Sequence, residues 1–385
     1  MLLAYLFAVV PVFSASNAFF APKKAPLELS LTVTRQNLDS QIFHQHKKRS
    51  VANSGVELNL IGSQTFYHAE VRFGSAGNIV TLMVDTGSTS TWVVSKDVKC
   101  YGHSGLALDS VLSRREDIKE ANDLAGIENV DPLNHIHEND QQIPLPAMAE
   151  VDQKQCTGHG FFDSKSSGTF EEIPGVSPYN VQFQDSTFAS GVWARDTISF
   201  GDVKLHNAPF ALVGKTDNTI GILGLGSDNL KHIYDKGTNF PPDYKGFPHL
   251  LKEQGLIERA VFSLHLDQDS ESGSVLFGAV DHARYSGNLQ TVPLANYYSN
   301  YSDTPLFYDI MLDSISIESA KMHLSGGTMD KDTHIPVNRV ALLDSGSTLC
   351  AFSLDVLTPI AEVLHGEWHE KLQLYAIDFE KFRGK

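Results

Sequence analysis

Asp85 ends the run Leu82-Met83-Val84-Asp85-Thr86-Gly87-Ser88-Thr89-Ser90-Thr91-Trp92, and Asp344 ends Ala341-Leu342-Leu343-Asp344-Ser345-Gly346-Ser347-Thr348. In each, an apolar strand-like run stops at Asp, a hydroxyl residue, Gly and a second hydroxyl residue. A strand that delivers a carboxylate to a tight turn, present twice, implies two lobes meeting at a paired-carboxylate site. Two carboxyls held close cannot both ionise, so they share a proton, and one serves as base while the other serves as acid. Asp85 and Asp344 are therefore the candidate pair to hold one water between them. Thr86 and Ser345 can lock the two loops by hydrogen bonds to the opposite backbone. Gly87 and Gly346 let other groups approach closely. Ser88 and Ser347 can donate to the outer carboxylate oxygens, which favours ionisation of one partner. A single Asp-Thr-Gly or Asp-Ser-Gly is an ordinary turn; the repetition after apolar strands, with Trp92 downstream, is the signal.

Such turns need strands to carry them. Short runs of β-branched and aromatic residues bounded by Gly, Asp and Ser recur along the chain: Phe66–Gly74, Ile79–Val84, Asp196–Gly201 and Ser272–Gly278. Phe247 to Ala260 is the clearest helix, with Leu250, Leu251 and Ile257 on one face. The expected class is all-β with few short helices. At 385 residues, 42% hydrophobic and 20% charged, the chain has material for two lobes. Its net charge of −16 argues against a nucleic-acid partner.

From Met1 to Phe20 the chain is apolar and reaches the small residues Ser16-Asn17-Ala18, a secretory signal with cleavage after Ala18; an uncleaved signal anchor is the alternative. Residues 19–55 read as a polar propeptide with little periodicity. Its Lys47-Lys48-Arg49 cluster is either a processing site or a solvated charge run, and its basic side chains could neutralise a carboxylate site. An N-terminal lobe over 56–297 and a partial C-terminal lobe over 298–385 follow. Cys100 and Cys156 flank one loop and read as a pair, leaving Cys350 unpaired. The insertion 101–155 between them carries eleven acids and four bases over 55 residues, and a bridge across its base would contribute roughly 4 kcal/mol by chain entropy. His135 and His137 lie in it, but without a third ligand at fixed spacing an acidic solvated loop is the better reading than a metal site. Asn300-Tyr301-Ser302 fits a glycosylation acceptor near the lobe junction.

The chain resembles the pepsin-like (A1) aspartic proteases, a bilobal β family, from about Phe66 to Phe352. Ser90-Thr91-Trp92-Val93-Val94 is similar to the family's continuation of its first Asp turn, and Phe161–Phe170 to the stretch before its flap. Gly221-Ile222-Leu223-Gly224-Leu225-Gly226 matches its most regular internal motif, and Ser272–Gly278 and Tyr308–Ile315 follow in order. The resemblance implies an aspartic endopeptidase made as a zymogen, acting on peptide or protein substrates with bulky apolar residues. It further implies a monomer without cofactor or metal, inhibited by its own propeptide, secreted or held in an acidic vacuole- or lysosome-like organelle.

Three departures stand out. The flap hairpin Val181–Gly191 has Phe183 where the family expects Tyr and Gln184 where it expects Gly; Phe183 and Asp185 still supply a lid over Trp92, but Phe183 cannot hydrogen-bond the indole. The acidic insertion is the second. The third is that Lys385 lies 41 residues after Asp344, which leaves the C-terminal lobe incomplete and implies a fragment, a mis-predicted gene product or a degenerate copy. A catalytically inactive, truncated protease-like protein that binds peptides or protein partners is the competing reading. Both Asp turns in one chain exclude a homodimeric retroviral-type protease, and no Gly-x-Ser-x-Gly elbow supports a serine hydrolase.

Overall fold

Leu27, Leu29, Leu31 and Val33 alternate with Glu28, Ser30 and Thr32, the period of a strand with one face buried. The computed structural model, which describes residues 26–37, 63–102, 149–183, 187–230, 240–266, 272–300, 302–317, 333–347, 350–369 and 374–376, makes this segment β1, Leu27–Asn37. Leu29 and Leu31 are buried and Glu28, Ser30 and Thr32 exposed. This corrects the reading of residues 19–50 as lacking periodicity: the alternation was there, diluted by the basic residues on either side. Ala18 and the segment before it, Lys47-Lys48-Arg49, His135, His137 and Asp185 lie outside the described residues.

Around β1 a sheet of twelve strands assembles among the described residues. β2 (Ser63–Phe73), β3 (Asn78–Asp85) and β4 (Trp92–Tyr101) follow in sequence. β5 (Glu150–Val151) and β6 (Glu171–Glu172) are short; β7 (Tyr179–Gln182), β8 (Phe188–Phe200) and β9 (Val203–Thr216) form hairpins. β10 (Gly221–Gly224), β11 (Phe262–Leu266) and β12 (Ser272–Phe277) complete it. The path runs β11-β12-β1-β2-β3-β10-β4-β9-β8-β6, with β5 on β4 and β7 on β8. β1 is thus interior, antiparallel to β12 on one side and to β2 on the other.

In β3, Val80, Leu82 and Val84 are buried while Ile79 is exposed, and the inner face joins Val71, Phe73, Phe210, Leu223 and Phe277 in the main core. A second core under β4 and β8 gathers Trp92, Tyr179, Trp193, Ala211 and Tyr244. Beyond the large sheet, β13 (Asp309–Ile317) and β14 (Thr333–Leu342) pair antiparallel, packed on a helix, Leu354–Val363, through Ile335, Val337 and Val356. The fold is the all-β bilobal pepsin-like one expected.

The helix expected over 247–260 covers Phe247–Glu253 only. Gly255 adopts φ 69°, its N–H bonds to Lys252 O at 2.9 Å and that of Leu256 to Leu251 O at 2.9 Å, a left-handed glycine stop that the apolar spacing did not register. Among the described residues no helix is long and apolar enough to cross a membrane.

Candidate active site

β3 runs parallel to β10 with Asp85 opposite Gly224, so the strand hands its last residue to the edge of the core. The N–H of Leu225 donates to Asp85 O at 2.7 Å and that of Gly226 to Ser88 O at 2.7 Å. A Cβ on Gly224 would sit 2.6 Å from Ser90 O, which explains the glycine in the Gly221–Gly226 motif: the turn after Asp85 lies directly on this backbone. The second carboxylate arrives on β14, two residues past its end.

The two turns meet face to face. Thr86 Oγ1 donates to Leu343 O at 2.7 Å, and Ser345 Oγ donates to Val84 O at 2.8 Å. The Thr86 N–H donates to Ser345 Oγ at 3.1 Å, and the Ser345 N–H to Thr86 Oγ1 at 2.9 Å. Four reciprocal bonds therefore fix the turns with near-twofold symmetry. Each glycine packs on the opposite carboxyl: a Cβ on Gly87 would lie 2.7 Å from Asp344 Cγ, and one on Gly346 would lie 2.7 Å from Asp85 Cγ.

The environments of the two acids differ. Asp85 is only 7% exposed, while Asp344 is half-buried. Asp85 Oδ1 accepts the Gly87 N–H at 2.7 Å and Oδ2 the Ser88 hydroxyl at 2.5 Å; Asp344 Oδ1 accepts the Gly346 N–H at 2.8 Å. Burial, and then the adjacent Asp344 charge, push the Asp85 carboxyl up to about 7, against the opposing pull of Ser88 and Gly87. The pair therefore retains a proton well into the acid range. Ser347 stands exposed at the end of its turn.

β7 and β8 form a hairpin whose described end is Phe183, where the Phe183 N–H donates to Thr187 O at 2.8 Å. The Phe183 ring lies 6.3 Å from that of Trp92, tilted by 34°. Trp92 is 1% exposed, and its indole Nε1 has no hydrogen-bond partner among the described residues. The disulfide Cys100–Cys156 closes the base of the insertion, with a Cα–Cα distance of 5.9 Å, and Cys350 is a free, exposed thiol. Asn300 is exposed in a turn. Among the described residues no cluster of three or more His, Cys, Asp or Glu is arranged to hold a metal ion.

Several supporting residues escaped the sequence reading. Tyr244 donates to Thr89 O at 2.9 Å and accepts the Thr91 N–H at 3.1 Å, clamping the segment after Asp85. Tyr179 OH lies 3.1 Å from Ser90 Oγ. Asp217 Oδ1 accepts the Phe188 N–H at 2.8 Å and so anchors the hairpin behind its tip. A buried Tyr or Asp must find a partner, but no spacing rule names that partner across separations of 29 to 155 residues.

The sequence carrying this geometry is matched by known proteins. The family model of the eukaryotic aspartyl proteases matches residues 66–385. Aspartic proteinase 3 of Saccharomyces cerevisiae is 29% identical over 94% of this chain. Secreted aspartic protease 9 of Candida albicans is 28% identical over 92% of it, and aspartic proteinase yapsin-3 of S. cerevisiae 28% over 85%. The chain belongs to the eukaryotic aspartyl protease family. The matches span 65%, 71% and 54% of those three relatives' own lengths.

Proposed function

We propose that this protein is an aspartic endopeptidase, working in the acid range, that cleaves an extended peptide lying under the Phe183 hairpin. The observation that carries the reading is the pairing of Asp85 and Asp344 across the hydrogen-bonded turns. A water between them gives a proton to the Asp344 carboxylate as its oxygen attacks the scissile carbonyl, while Asp85 donates its proton to the carbonyl oxygen. Collapse of the resulting diol passes a proton to the departing amine nitrogen. Full-length, processed protein should cut peptides with bulky apolar residues at the cleavage point, and Asp85→Asn should reduce that cutting by at least a thousandfold. Unchanged cleavage by the variant would overturn the assignment.

The route is secretory, supported by the apolar N-terminus and by the exposed Asn300 as a glycan acceptor; loss of a mass increment in Asn300→Gln from a eukaryotic host tests the latter. The protein acts as a monomer and is made as a zymogen whose residues 19–55 restrain it. β1 lies within that segment and is held by two ladders and by Arg284, 3.9 Å from Glu28. A binding-only protein is the second reading, favoured by Phe183 in place of a hydroxyl-bearing lid residue; peptide binding without hydrolysis by the wild type would establish it.

A further inference from the structure

The turns that carry Asp85 and Asp344 are joined at their tips, but a second connection lies behind them. Tyr308 precedes β13, and its carbonyl accepts the N–H of Leu343, the residue before Asp344, at 3.1 Å. Its hydroxyl reaches the other way and donates to Leu225 O at 3.0 Å. Leu225 in turn donates its N–H to Asp85 O at 2.7 Å. One side chain therefore spans from the backbone next to one carboxylate to the backbone supporting the other. The ring is 7% exposed and meets Phe262 edge-on at 5.9 Å, so it acts as a rigid strut. A parallel tie lies on the same segment, where Asn229 Nδ2 donates to Pro305 O at 3.0 Å. The charged groups around this strut are Asp228, which pairs with His249 at 3.1 Å, and its own neighbour Asp309.

We infer that Tyr308 is a positioning residue that sets the separation of the Asp85 and Asp344 carboxyls and hence the strength of their coupling. The Thr86–Ser345 bonds already hold the Val84 and Leu343 carbonyls, the residues before each acid. The strut adds a separate tie, to the Leu343 N–H on one side and, through Leu225, to the Asp85 carbonyl on the other. Coupling between two like charges grows as they approach in a poorly solvated site, so a brace that prevents drift widens the gap between the pair's two macroscopic pKa values. The inference deepens the catalytic reading above but is testable without turnover.

The experiment follows the two Asp side-chain carboxyls by 13C NMR titration in the full chain, for wild type, Tyr308→Phe and Phe262→Leu, with peptide cleavage measured in parallel. Tyr308→Phe keeps the ring and removes only the hydroxyl. Its gap between the two titration steps should narrow by about one pH unit, and kcat should fall about tenfold with KM within twofold. Phe262→Leu should lower Tm while leaving the gap unchanged. Should Tyr308→Phe fail to fold, Asn229→Ala removes the parallel tie and should narrow the gap in the same direction by less. An unchanged gap in the folded tyrosine variant, or an equal narrowing in Phe262→Leu, overturns the inference. A narrowed gap in a protein that cuts no peptide would sustain the strut and refute the endopeptidase reading instead.

Discussion

Gly87 lies against the carboxyl of Asp344 so closely that an added methyl group would sit 2.7 Å from its Cγ. No rotation of that carboxyl clears the space, because Gly346 holds one of its oxygens at 2.8 Å. Gly87→Ala should therefore displace Asp344 rather than unfold the protein. A displacement near 1 Å costs about a hundredfold in rate, so kcat/KM should fall by that much or more. Tm should move by only a few degrees. Gly346→Ala, which presses on Asp85, should do the same.

Thr86 and Ser345 form four hydrogen bonds as one unit, and their loss should not be additive. Thr86→Ala and Ser345→Ala each remove two full bonds and leave buried partners unsatisfied, at about 1–3 kcal/mol apiece. The double variant should cost less than the sum, with a coupling of about 1–2 kcal/mol in urea unfolding. Thr86→Ser, which keeps the hydroxyl, should stay near wild type.

Phe183 leaves the buried Trp92 N–H without a described partner, at a ring separation of 6.3 Å. Phe183→Tyr adds a phenol oxygen to a ring packed beside that indole. A new hydrogen bond of about 1 kcal/mol should steady the hairpin over bound peptide and lower KM about fivefold, and it should change Trp fluorescence. An unaltered KM and spectrum would show that the hairpin tip is held elsewhere.

Acidity should stabilise this fold. Burial pushes Asp309 up to about 6 and Asp85 to about 7. A carboxyl whose folded pKa is raised binds more protons when native than when unfolded, so its contribution is full below the unfolded value near 4 and is lost as pH rises through the folded one. Urea midpoints should fall between pH 4 and 7. Asp309→Asn should flatten the pH 4–6 part by about 1–2 kcal/mol, a figure discounted for the carboxyl's partial access to water. A midpoint that rises over this range would contradict the assignment.

What the sequence revealed, and what it hid, follows from the range of each interaction. Asp85 and Asp344 are announced by local signals, an apolar strand running into a turn, and the glycines beside them by the same short patterns. Short apolar runs bounded by Gly, Asp and Ser likewise disclose β3 and β12. Tyr244, Tyr308 and Asp217 act through hydrogen bonds to backbone elsewhere in the chain, and backbone carries no sequence signature. β1 was misread for a different reason: its four apolar residues sit among basic and polar ones, and a compositional reading averaged them away. The shortened helix turned on Gly255, whose left-handed φ outweighed an apolar face that continued to Ile257.

On the proposed zymogen reading, β1 also changes what maturation of this chain has to accomplish. It is an inner plank of the sheet, so cutting the chain at Lys47–Arg49 severs a covalent link and removes nothing by itself. The severed piece stays seated by its ladders to β12 and β2 and by Leu29 and Leu31 in the core. Its departure opens a slot one strand wide, about 4.8 Å, with two rows of bare amide and carbonyl groups facing each other. Release on that proposed reading is therefore a strand-exchange problem as much as a proteolytic one, and its rate is set by whatever fills that slot.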